Sequence, residues 1–280
     1  MTHSATLATA WRYPVKSMLG EELNAAAIGP TGLIGDRAYA LVDRETGAVV
    51  SAKNPKKWPD IFACRASYLD NVGSGALPAI HITLPDGSSV RSDLPDSEER
   101  ISKALGRAVN LRSAAPAQAK LEQFWPEYEG QNNEISQEPV AGDAPAGTFF
   151  DYAMVHLITT SSLQQLASLH PAGRIEVRRF RPNLVVDTAG QEGFVENAWV
   201  GRTLRIGDSV RLQITDPCPR CVMPTLAQGD LPKDPLIFRE AIAKNNVTVP
   251  FAGKALPSVG VYARVLSGGT VRRGDAAVLE

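Results

Sequence analysis

Short apolar runs separated by glycine, proline and aspartate dominate this sequence and limit what it can fold into. The runs at 38–43, 48–51 and 80–84 are strand candidates, with turn residues between them. Residues 45–47 lie between the first two runs, so we expect these two strands to form a hairpin. Blocks of this kind are typical of closed barrels and sandwiches. We therefore predict a mainly β fold with some helices, of the α+β class.

Only a few segments have the pattern of a helix. Residues 97–105 combine a polar face with two apolar residues four positions apart, which predicts a helix. A second helix is expected after a strand at 155–159. We assign its N-cap to Ser161 or Ser162, and its apolar face to Leu163, Leu166 and Leu169. A further strand is expected at 183–187, and strand, Gly-Asp turn and strand are expected around 204–208 and 271–275.

The segment 113–148 has a different composition from the blocks on either side. It is rich in alanine, proline, glycine, asparagine and glutamate, and it contains Phe124, Trp125 and Tyr128. A long surface linker is one interpretation. A loop over an active site is the other, because long loops in compact domains are often functional. A second block of strands begins near Phe149.

Charge and cysteine content limit the partners and the compartment. The net charge is −1, and beyond Lys53, Lys56 and Lys57 beside Trp58 there is no basic patch, so we expect no nucleic acid. No run approaches the roughly 20 apolar residues of a membrane span. Three cysteines fit a reducing cytoplasm, where we place the protein. They are too few for a four-thiolate iron–sulfur cluster, so electrons would come from another protein.

Two of the three cysteines lie together in the run Cys218-Pro219-Arg220-Cys221. The pair could form a redox disulfide or half of a zinc site, although His156 and His170 are distant in sequence and do not form a second pair. It could also be one catalytic thiolate with one supporting cysteine, and Arg220 would favour the ionised thiol. Both thiols could simply be buried. These alternatives stay open at this point.

Cations in three other segments could bind an anion. Lys16 and Ser17 follow Pro14, and could stand at a strand end as an anion clamp. Arg37 could contact phosphate through both guanidinium nitrogens, or pair with a nearby aspartate. The run 178–183 holds three arginines in four residues, which indicates either a specific anionic ligand or a solvated strand edge.

Four motifs occur together in a recognisable order. They are 13–17 (YPVKS), 35–37 (GDR), 180–183 (FRPN) and 218–221 (CPRC). In this order they resemble MOSC-domain proteins, which are related to the mitochondrial amidoxime-reducing component and to the C-terminal domain of molybdenum-cofactor sulfurase. The resemblance implies a MOSC N-terminal β-barrel domain at 1–115 and a connecting loop at 116–148. A MOSC β-barrel domain at 149–280 would pack against the first.

The resemblance also implies a cofactor and its ligands. The family binds the molybdenum cofactor, Mo-molybdopterin, and by resemblance Cys221 is the thiolate ligand of the metal, with Cys218 and Arg220 beside it. The remaining cofactor contacts implied by the resemblance are Lys16, Ser17, Arg37, Asp151, Tyr152, Ala153, Arg181, Asn183 and Tyr262.

The expected activity is reduction of an N–O bond in a small-molecule substrate. Electrons would come from a separate ferredoxin- or flavin-type reductase, and no nucleic acid or membrane partner is expected. Pro224, Tyr152 and Ala153 replace hydroxylic residues of the amidoxime reducers, so the substrate does not carry over. The alternatives are a sulfur carrier with a cysteine persulfide and a non-catalytic carrier of the cofactor.

Overall fold

The fold is dominated by short strands. A computed structural model describes residues 5–73, 75–116, 118–125, 134–145 and 148–280. The strands, in chain order, are β1 (Thr6–Arg12), β2 (Glu21–Leu23), β3 (Ala25–Gly29), β4 (Gly32–Leu33), β5 (Ala40–Asp43), β6 (Arg65–Tyr68), β7 (Ile80–Thr83), β8 (Ser89–Arg91), β9 (Val109–Arg112), β10 (Lys120–Trp125), β11 (Glu134–Pro139), β12 (Val155–Thr159), β13 (Leu184–Asp187), β14 (Thr203–Ile206), β15 (Val210–Pro219), β16 (Asn246–Val249), β17 (Lys254–Ser267), β18 (Gly269–Arg272) and β19 (Ala277–Leu279).

Helical segments are short and lie between the strands. The α-helices are α1 (Ser97–Leu105), α2 (Thr160–Leu169) and α3 (Val177–Phe180). Single turns of 3₁₀ helix are Ile61–Ala63, Val195–Trp199, Met223–Thr225, Ile242–Lys244 and Pro250–Ala252, and Ile237–Ala241 is a π-helical turn. The mainly β, α+β prediction is confirmed. Within the described part of the chain, no helix combines the length and apolar character needed to cross a membrane.

One large sheet organises the molecule. Its strand order is β19-β14-β15-β17-β12-β13-β1-β2, and β16 pairs with β17 beside this path. All these pairs are antiparallel except β12 with β13, which is parallel. The first strand of the chain therefore lies against β13, far along the sequence. Its inner face contributes Leu7 to the same apolar core as Leu157, Ile214 and Val261.

A second apolar core lies under two smaller sheets, whose orders are β5-β9 and β6-β7-β8. The sheet β18-β3-β4 packs on the first core, and the β10-β11 pair contributes Leu121 to a separate cluster. Ile82 from β7 and Ile101 from α1 are fully buried in the second core, as the alternation in the sequence predicts. Met223 and Leu226, which follow the paired cysteines, also pack into this core. The segment after Cys221 is therefore anchored on the N-terminal half of the chain.

The predicted hairpin at 38–51 is present only in part. β5 forms its ladder with β9, and the returning residues contribute a single bridge between Val42 and Val49. Two backbone hydrogen bonds flank this bridge, from the Asp43 amide to Ala48 and from the Val50 amide to Leu41. On its other side, Val49 donates to the Lys120 carbonyl and bridges to Leu121. The helix at 97–105 and the strand at 155–159 have the predicted bounds.

The described part of 113–148 forms the hairpin of β10 and β11. Leu121 from this hairpin is buried against Val49 and Phe149. Tyr128 lies outside the described residues. The domain boundaries at 115 and 148 therefore stay a prediction.

The N-cap prediction for α2 is wrong. The cap is Thr159, whose Oγ1 accepts a 3.1 Å hydrogen bond from the Ser162 amide. Thr159 is the last residue of β12 and still has extended backbone angles, which is the conformation that an N-cap needs. Ser162 lies inside the helix, and its hydroxyl donates to the buried carboxyl group of Glu196 at 2.7 Å.

Replacement of Thr159 should test this cap. Thr159 Oγ1 also donates to Glu196 Oε2 at 2.6 Å, so Thr159→Ala removes a cap and a partner of a buried carboxyl group. We expect a loss of about 2 kcal/mol in the free energy of unfolding, measured by urea denaturation. Ser168→Ala, at an exposed position of the same helix, is the control and should stay within about 0.5 kcal/mol. Equal effects of the two substitutions would contradict the assignment.

Candidate functional site

The buried carboxylate of Asp36 joins segments from the N-terminal and C-terminal halves of the chain. Its Oδ1 accepts a 2.8 Å hydrogen bond from the Tyr13 amide, and its Oδ2 pairs with the Arg37 guanidinium. The same Oδ2 accepts a 2.9 Å bond from Asn183 Nδ2, at the start of β13. The Asn183 Oδ1 in turn accepts from the His156 amide at 3.1 Å. Asn183 therefore uses its side chain to hold the two segments together.

Two arginines lie on the ring of the buried Tyr13. The guanidinium carbons of Arg37 and Arg181 are 4.6 and 4.2 Å from the ring centroid. Arg37 Nη2 donates to the Arg181 carbonyl at 3.1 Å, and Arg181 Nη1 donates to the Met18 carbonyl at 2.6 Å. Both arginines have left-handed backbone angles, with φ of +45° and +54°, which turn their side chains toward this ring.

Arg181 is a buried cation with no carboxylate partner among the described residues. Burial, and then repulsion from Arg37, lower its pKa to about 10. A buried cation without a counter-ion is costly, so its environment favours an anionic ligand.

Two lysines hold one carboxylate beside this pair of arginines. Lys16 Nζ pairs with Asp151 Oδ1 and donates to the Phe149 carbonyl at 2.7 Å, and Lys53 Nζ lies 3.2 Å from Asp151 Oδ2. Burial alone would raise the pKa of Asp151, but the two ammonium groups hold it far below its usual range. Burial lowers the pKa of Lys16 to about 8, against the attraction of Asp151.

Lys53 also faces the thiol. Burial works to lower its pKa, but the charges of Asp151 and Cys221 outweigh burial and raise it. The loop that carries Lys53 is fixed by Ser17, whose Oγ accepts a 3.0 Å hydrogen bond from the Ala52 amide. Ser17 retains its own hydroxyl proton for a further acceptor.

The paired cysteines stand at the end of β15. Cys218 is buried, and its Sγ accepts a 3.0 Å hydrogen bond from Arg220 Nη1. Arg220 Nη2 donates to the Phe180 carbonyl at 2.9 Å, so this arginine joins the thiol to α3. Cys221 is partly exposed. Arg220 therefore contacts Cys218 directly, while Lys53 supplies a second cation near Cys221.

The three arginines of 178–181 do not act as one cluster. Arg178 pairs with Glu176 and Asp230 near the surface. Arg179 is fully buried, and it donates to the carbonyls of Arg174, Pro224, Leu226 and Pro232. It thereby fixes the turn that follows Cys221. Only Arg181 faces the buried cations, and the solvated strand edge is wrong because the run forms α3.

Aromatic side chains close another side of the thiols. The Tyr262 ring lies 5.3 Å from the Tyr152 ring and 5.9 Å from the His156 ring. Ala153, which follows Tyr152 in the sequence, is buried. Surrounding protein, and then the sulfur of Cys218, raise the pKa of Tyr262 well above 10. The His156 ring packs directly against the backbone of Gly260. A side chain at this position would not fit, since its Cβ would lie 2.5 Å from His156 Nε2.

No zinc ligand set is present in the described part of the chain. There, no three histidine, cysteine, aspartate or glutamate side chains are grouped as metal ligands. Burial, and then the charge of Arg220, lower the pKa of His156 to about 3, and its Nε2 lies 3.3 Å from the Val259 carbonyl. His170 pairs with Asp234 at 2.9 Å.

The site has an excess of positive charge. Its cations are Lys16, Lys53, Arg37, Arg181 and Arg220, and its carboxylates are Asp36 and Asp151. In the described part of the chain, the Tyr13 hydroxyl and Arg220 Nε are buried without a hydrogen-bond partner. Such a site suits a ligand with phosphate oxygens and a metal that accepts a thiolate.

Sequence reasoning missed Tyr13 and Lys53. From sequence, Lys53 stands out only as a neighbour of Lys56 and Lys57 beside Trp58, and Tyr13 only as the first residue of the motif at 13–17. No local sequence pattern marks either residue as part of the site. Lys53 reaches the site only in the folded chain, since the hydrogen bond between Ser17 and Ala52 positions its loop there.

Comparisons with known proteins match both halves of the chain. The MOSC N-terminal beta barrel domain matches residues 4–124, and the MOSC domain matches residues 145–278. The human protein named mitochondrial amidoxime reducing component 2 is 26% identical over 96% of this chain and 82% of its own length. A zebrafish (Danio rerio) protein named molybdenum cofactor sulfurase is 26% identical over 79% of this chain and 28% of its own length. The solved structure of the YUAD protein from Bacillus subtilis covers 99% of this chain and 96% of its own, with 11% identity and a TM-score of 0.46.

Anion binding at this site should depend on the protonation of Lys16. Below its pKa of about 8, Lys16 carries a charge that attracts an anion, and above that pH it loses the charge. Sulfate, whose own charge is constant, should therefore raise the melting temperature more at about pH 7 than at about pH 9.5. In Lys16→Arg, the guanidinium group that replaces the ammonium group stays protonated at both pH values. The rise in melting temperature caused by sulfate should therefore become equal at the two pH values. An unchanged pH dependence in Lys16→Arg would rule out Lys16 as the titrating group.

Proposed function

The chain belongs to the family in which a MOSC N-terminal β-barrel domain is joined to a MOSC domain, and on this basis we propose a molybdenum-cofactor-dependent reductase. Its substrates are N-hydroxylated small molecules, and its electrons come from a separate ferredoxin- or flavin-type reductase. The observation that carries this proposal is a buried group of cations, with more positive than negative charges, beside a partly exposed thiol.

The residues of the site fit the molybdenum cofactor. The cofactor has a phosphate at the end of its side arm, and Arg181, Lys16 and Arg37 supply cations for such a group. Ser17 and the unpartnered Tyr13 hydroxyl add donors. Cys221 would supply the thiolate ligand of the metal. When bound, the cofactor would supply a centre that takes up and releases two electrons.

The protein side chains would set the electrostatics around that centre. Lys53 would supply a cation beside the Cys221 thiolate that binds the metal, since the charges of the two groups attract each other. Arg220 fixes Cys218 and joins it to α3, whose next residue is Arg181. Arg179 holds the turn after Cys221 through backbone carbonyls. One short helix therefore connects the phosphate end of the proposed site with its thiol end.

The reaction needs an external source of electrons. Reduction of an N-hydroxylated amidine takes up two electrons and two protons, breaks the N–O bond and releases water. The chain has only three cysteines, which are too few for a four-thiolate cluster of its own. A separate reductase is therefore part of the proposal.

A persulfide carrier is the second candidate, and the contact of Arg220 with Cys218 favours it. Arg220 Nη1, 3.0 Å from the Cys218 sulfur, would donate a charge-assisted hydrogen bond to a persulfide at that position. Elemental analysis of natively purified protein, with fluorescence of oxidised pterin, separates the candidates. Molybdenum and pterin in equal amounts support the reductase, and reductant-labile sulfur without molybdenum supports the carrier. Tightly held cofactor with no turnover with any electron donor would indicate a non-catalytic cofactor carrier.

Removal of the Cys221 thiol should remove the metal. We expect Cys221→Ala to contain at least about tenfold less molybdenum than the wild type, by elemental analysis, because a ligand of the metal is lost. Cys64→Ala is the control, since Cys64 is a buried residue of the core against which Cys221 packs, and its replacement removes a thiol away from the cations of the site. If Cys221→Ala keeps its full molybdenum content, Cys221 is not the ligand.

Removal of the Arg181 charge should weaken retention of the cofactor. Arg181→Ala removes a buried cation, and charge-assisted hydrogen bonds of this kind correspond to a roughly ten- to hundredfold loss of affinity. Pterin fluorescence after dialysis measures retention. Arg178→Ala, which removes an arginine of the same helix that pairs at the surface, should retain as much pterin as the wild type. Equal retention in both variants would show that Arg181 does not hold the cofactor.

A further inference from the structure

Three aromatic rings form a row from the surface to the thiols, with the outer pair stacked and the inner pair tilted. The Phe251 side chain is 45% exposed, and its ring lies 4.0 Å from the Tyr152 ring at an angle of 26°. The Tyr152 ring lies 5.3 Å from that of Tyr262, which stands beside Cys218. We call Phe251, Tyr152 and Tyr262 the aromatic wall. Its outer end is open to solvent and its inner end reaches the proposed reaction site.

A carboxylate without a cationic partner lies next to this wall. Asp216 on β15 is opposite Tyr262 on β17, and it is only 8% exposed. Directly opposite residues of an antiparallel pair share one face, so Asp216 lies on the same face as Tyr262, whose ring is 5.3 Å from that of Tyr152. Burial, and then the charge of Asp216, raise the pKa of Tyr152. Among the described residues, its side chain has no hydrogen bond and no ion pair.

The cation near Asp216 already pairs with another carboxylate. Arg264 donates to the Asp143 carboxylate through both Nε, at 2.9 Å, and Nη2. The cations near Cys221 do not neutralise Asp216 either, since Lys16 and Lys53 both pair with Asp151. The site therefore has a cationic half around Arg181 and an aromatic half with one free negative charge.

We propose that Phe251, Tyr152 and Asp216 form a substrate subsite that selects flat, conjugated amidine-type groups over saturated N-hydroxylamines. This inference rests on the proposed function, and it assigns Tyr152 to the substrate instead of to the lining of the cofactor. An aromatic wall stacks with a planar group, and a buried carboxylate forms charge-assisted hydrogen bonds with a planar cation.

The chemistry of the reduction explains why a carboxylate is useful there. An N-hydroxylated amidine is weakly basic, and its reduction with two electrons and two protons gives water and an amidine. The amidine is a strong base and takes up a third proton from solvent, so the product becomes a cation. Asp216 can accept hydrogen bonds from both nitrogens of that cation. A saturated amine product is not planar and would gain less from the aromatic wall.

Binding of a redox-inert product analogue tests the subsite on the protein as purified. The probes are benzamidine, a flat cation, and benzamide, its neutral counterpart, and titration calorimetry measures both. We expect benzamidine to bind the wild type about tenfold more tightly than benzamide, because only benzamidine pairs with Asp216. Asp216→Asn should remove this preference.

A separate variant tests how much the aromatic wall contributes to binding of the two probes. Phe251→Ala should weaken both probes by about three- to tenfold, because both lose a stacking partner. Leu94→Ala, at a similarly exposed apolar residue in the N-terminal half, is the control and should bind as the wild type does. Phe251 is exposed and Asn has nearly the shape of Asp, so both variants are expected to fold; thermal melting verifies this.

The outcomes separate this inference from the proposed function. Benzamidine affinity that equals benzamide affinity, or that is unchanged in Asp216→Asn and Phe251→Ala, overturns the subsite even if the protein contains molybdenum. Loss of the benzamidine preference in Asp216→Asn, with weaker binding of both probes in Phe251→Ala, supports the subsite even if no molybdenum or pterin is found, in which case only the reductase proposal fails. The calorimetric readout requires neither metal nor electrons.

Discussion

The buried carboxylate of Asp36 is the interaction on which the rest of the site depends. It accepts hydrogen bonds from the Tyr13 amide and the Asn183 amide group, and it pairs with Arg37. Tyr13 and Arg37 lie in the N-terminal half of the chain and Asn183 lies in the C-terminal half. The Asp36 side chain therefore fixes the position of one half against the other. A charge this deeply buried is stable only when its hydrogen bonds are satisfied, which makes the arrangement rigid. Arg181 is placed through the same contacts.

This rigidity produces a division of charge within the site. Arg37, Arg181, Lys16 and Lys53 surround one side with more cations than carboxylates, while the aromatic side keeps a single free carboxylate at Asp216. Buried charges interact more strongly than exposed ones, so an anionic cofactor and a cationic product would be directed to different sides. In the proposed function, the two halves correspond to cofactor binding and substrate selection, with the cysteines between them.

Local sequence patterns predicted the elements that depend on neighbours in the chain. Helix α1 and strand β12 have the expected bounds, because their apolar spacing and turn residues are local properties. The hairpin at 38–51 is only partial, since β5 forms its ladder with β9, which no local pattern reveals. The cap of α2 is Thr159, because this residue keeps the extended backbone of β12 while Ser162 already lies inside the helix.

The sequence by itself determined the mainly β fold, the family and the motifs that supply the cations and thiols of the site. It did so because strand alternation, turn chemistry and motif order are written along the chain. Only the tertiary structure decided which arginine is available to a ligand, that Lys53 belongs to the site, and that Asp216 lies opposite Tyr262 without a partner among the residues that the structure describes. The physical reason is that pairing and burial of charge depend on residues far apart in sequence, which meet only when β1 joins β13 and β15 joins β17.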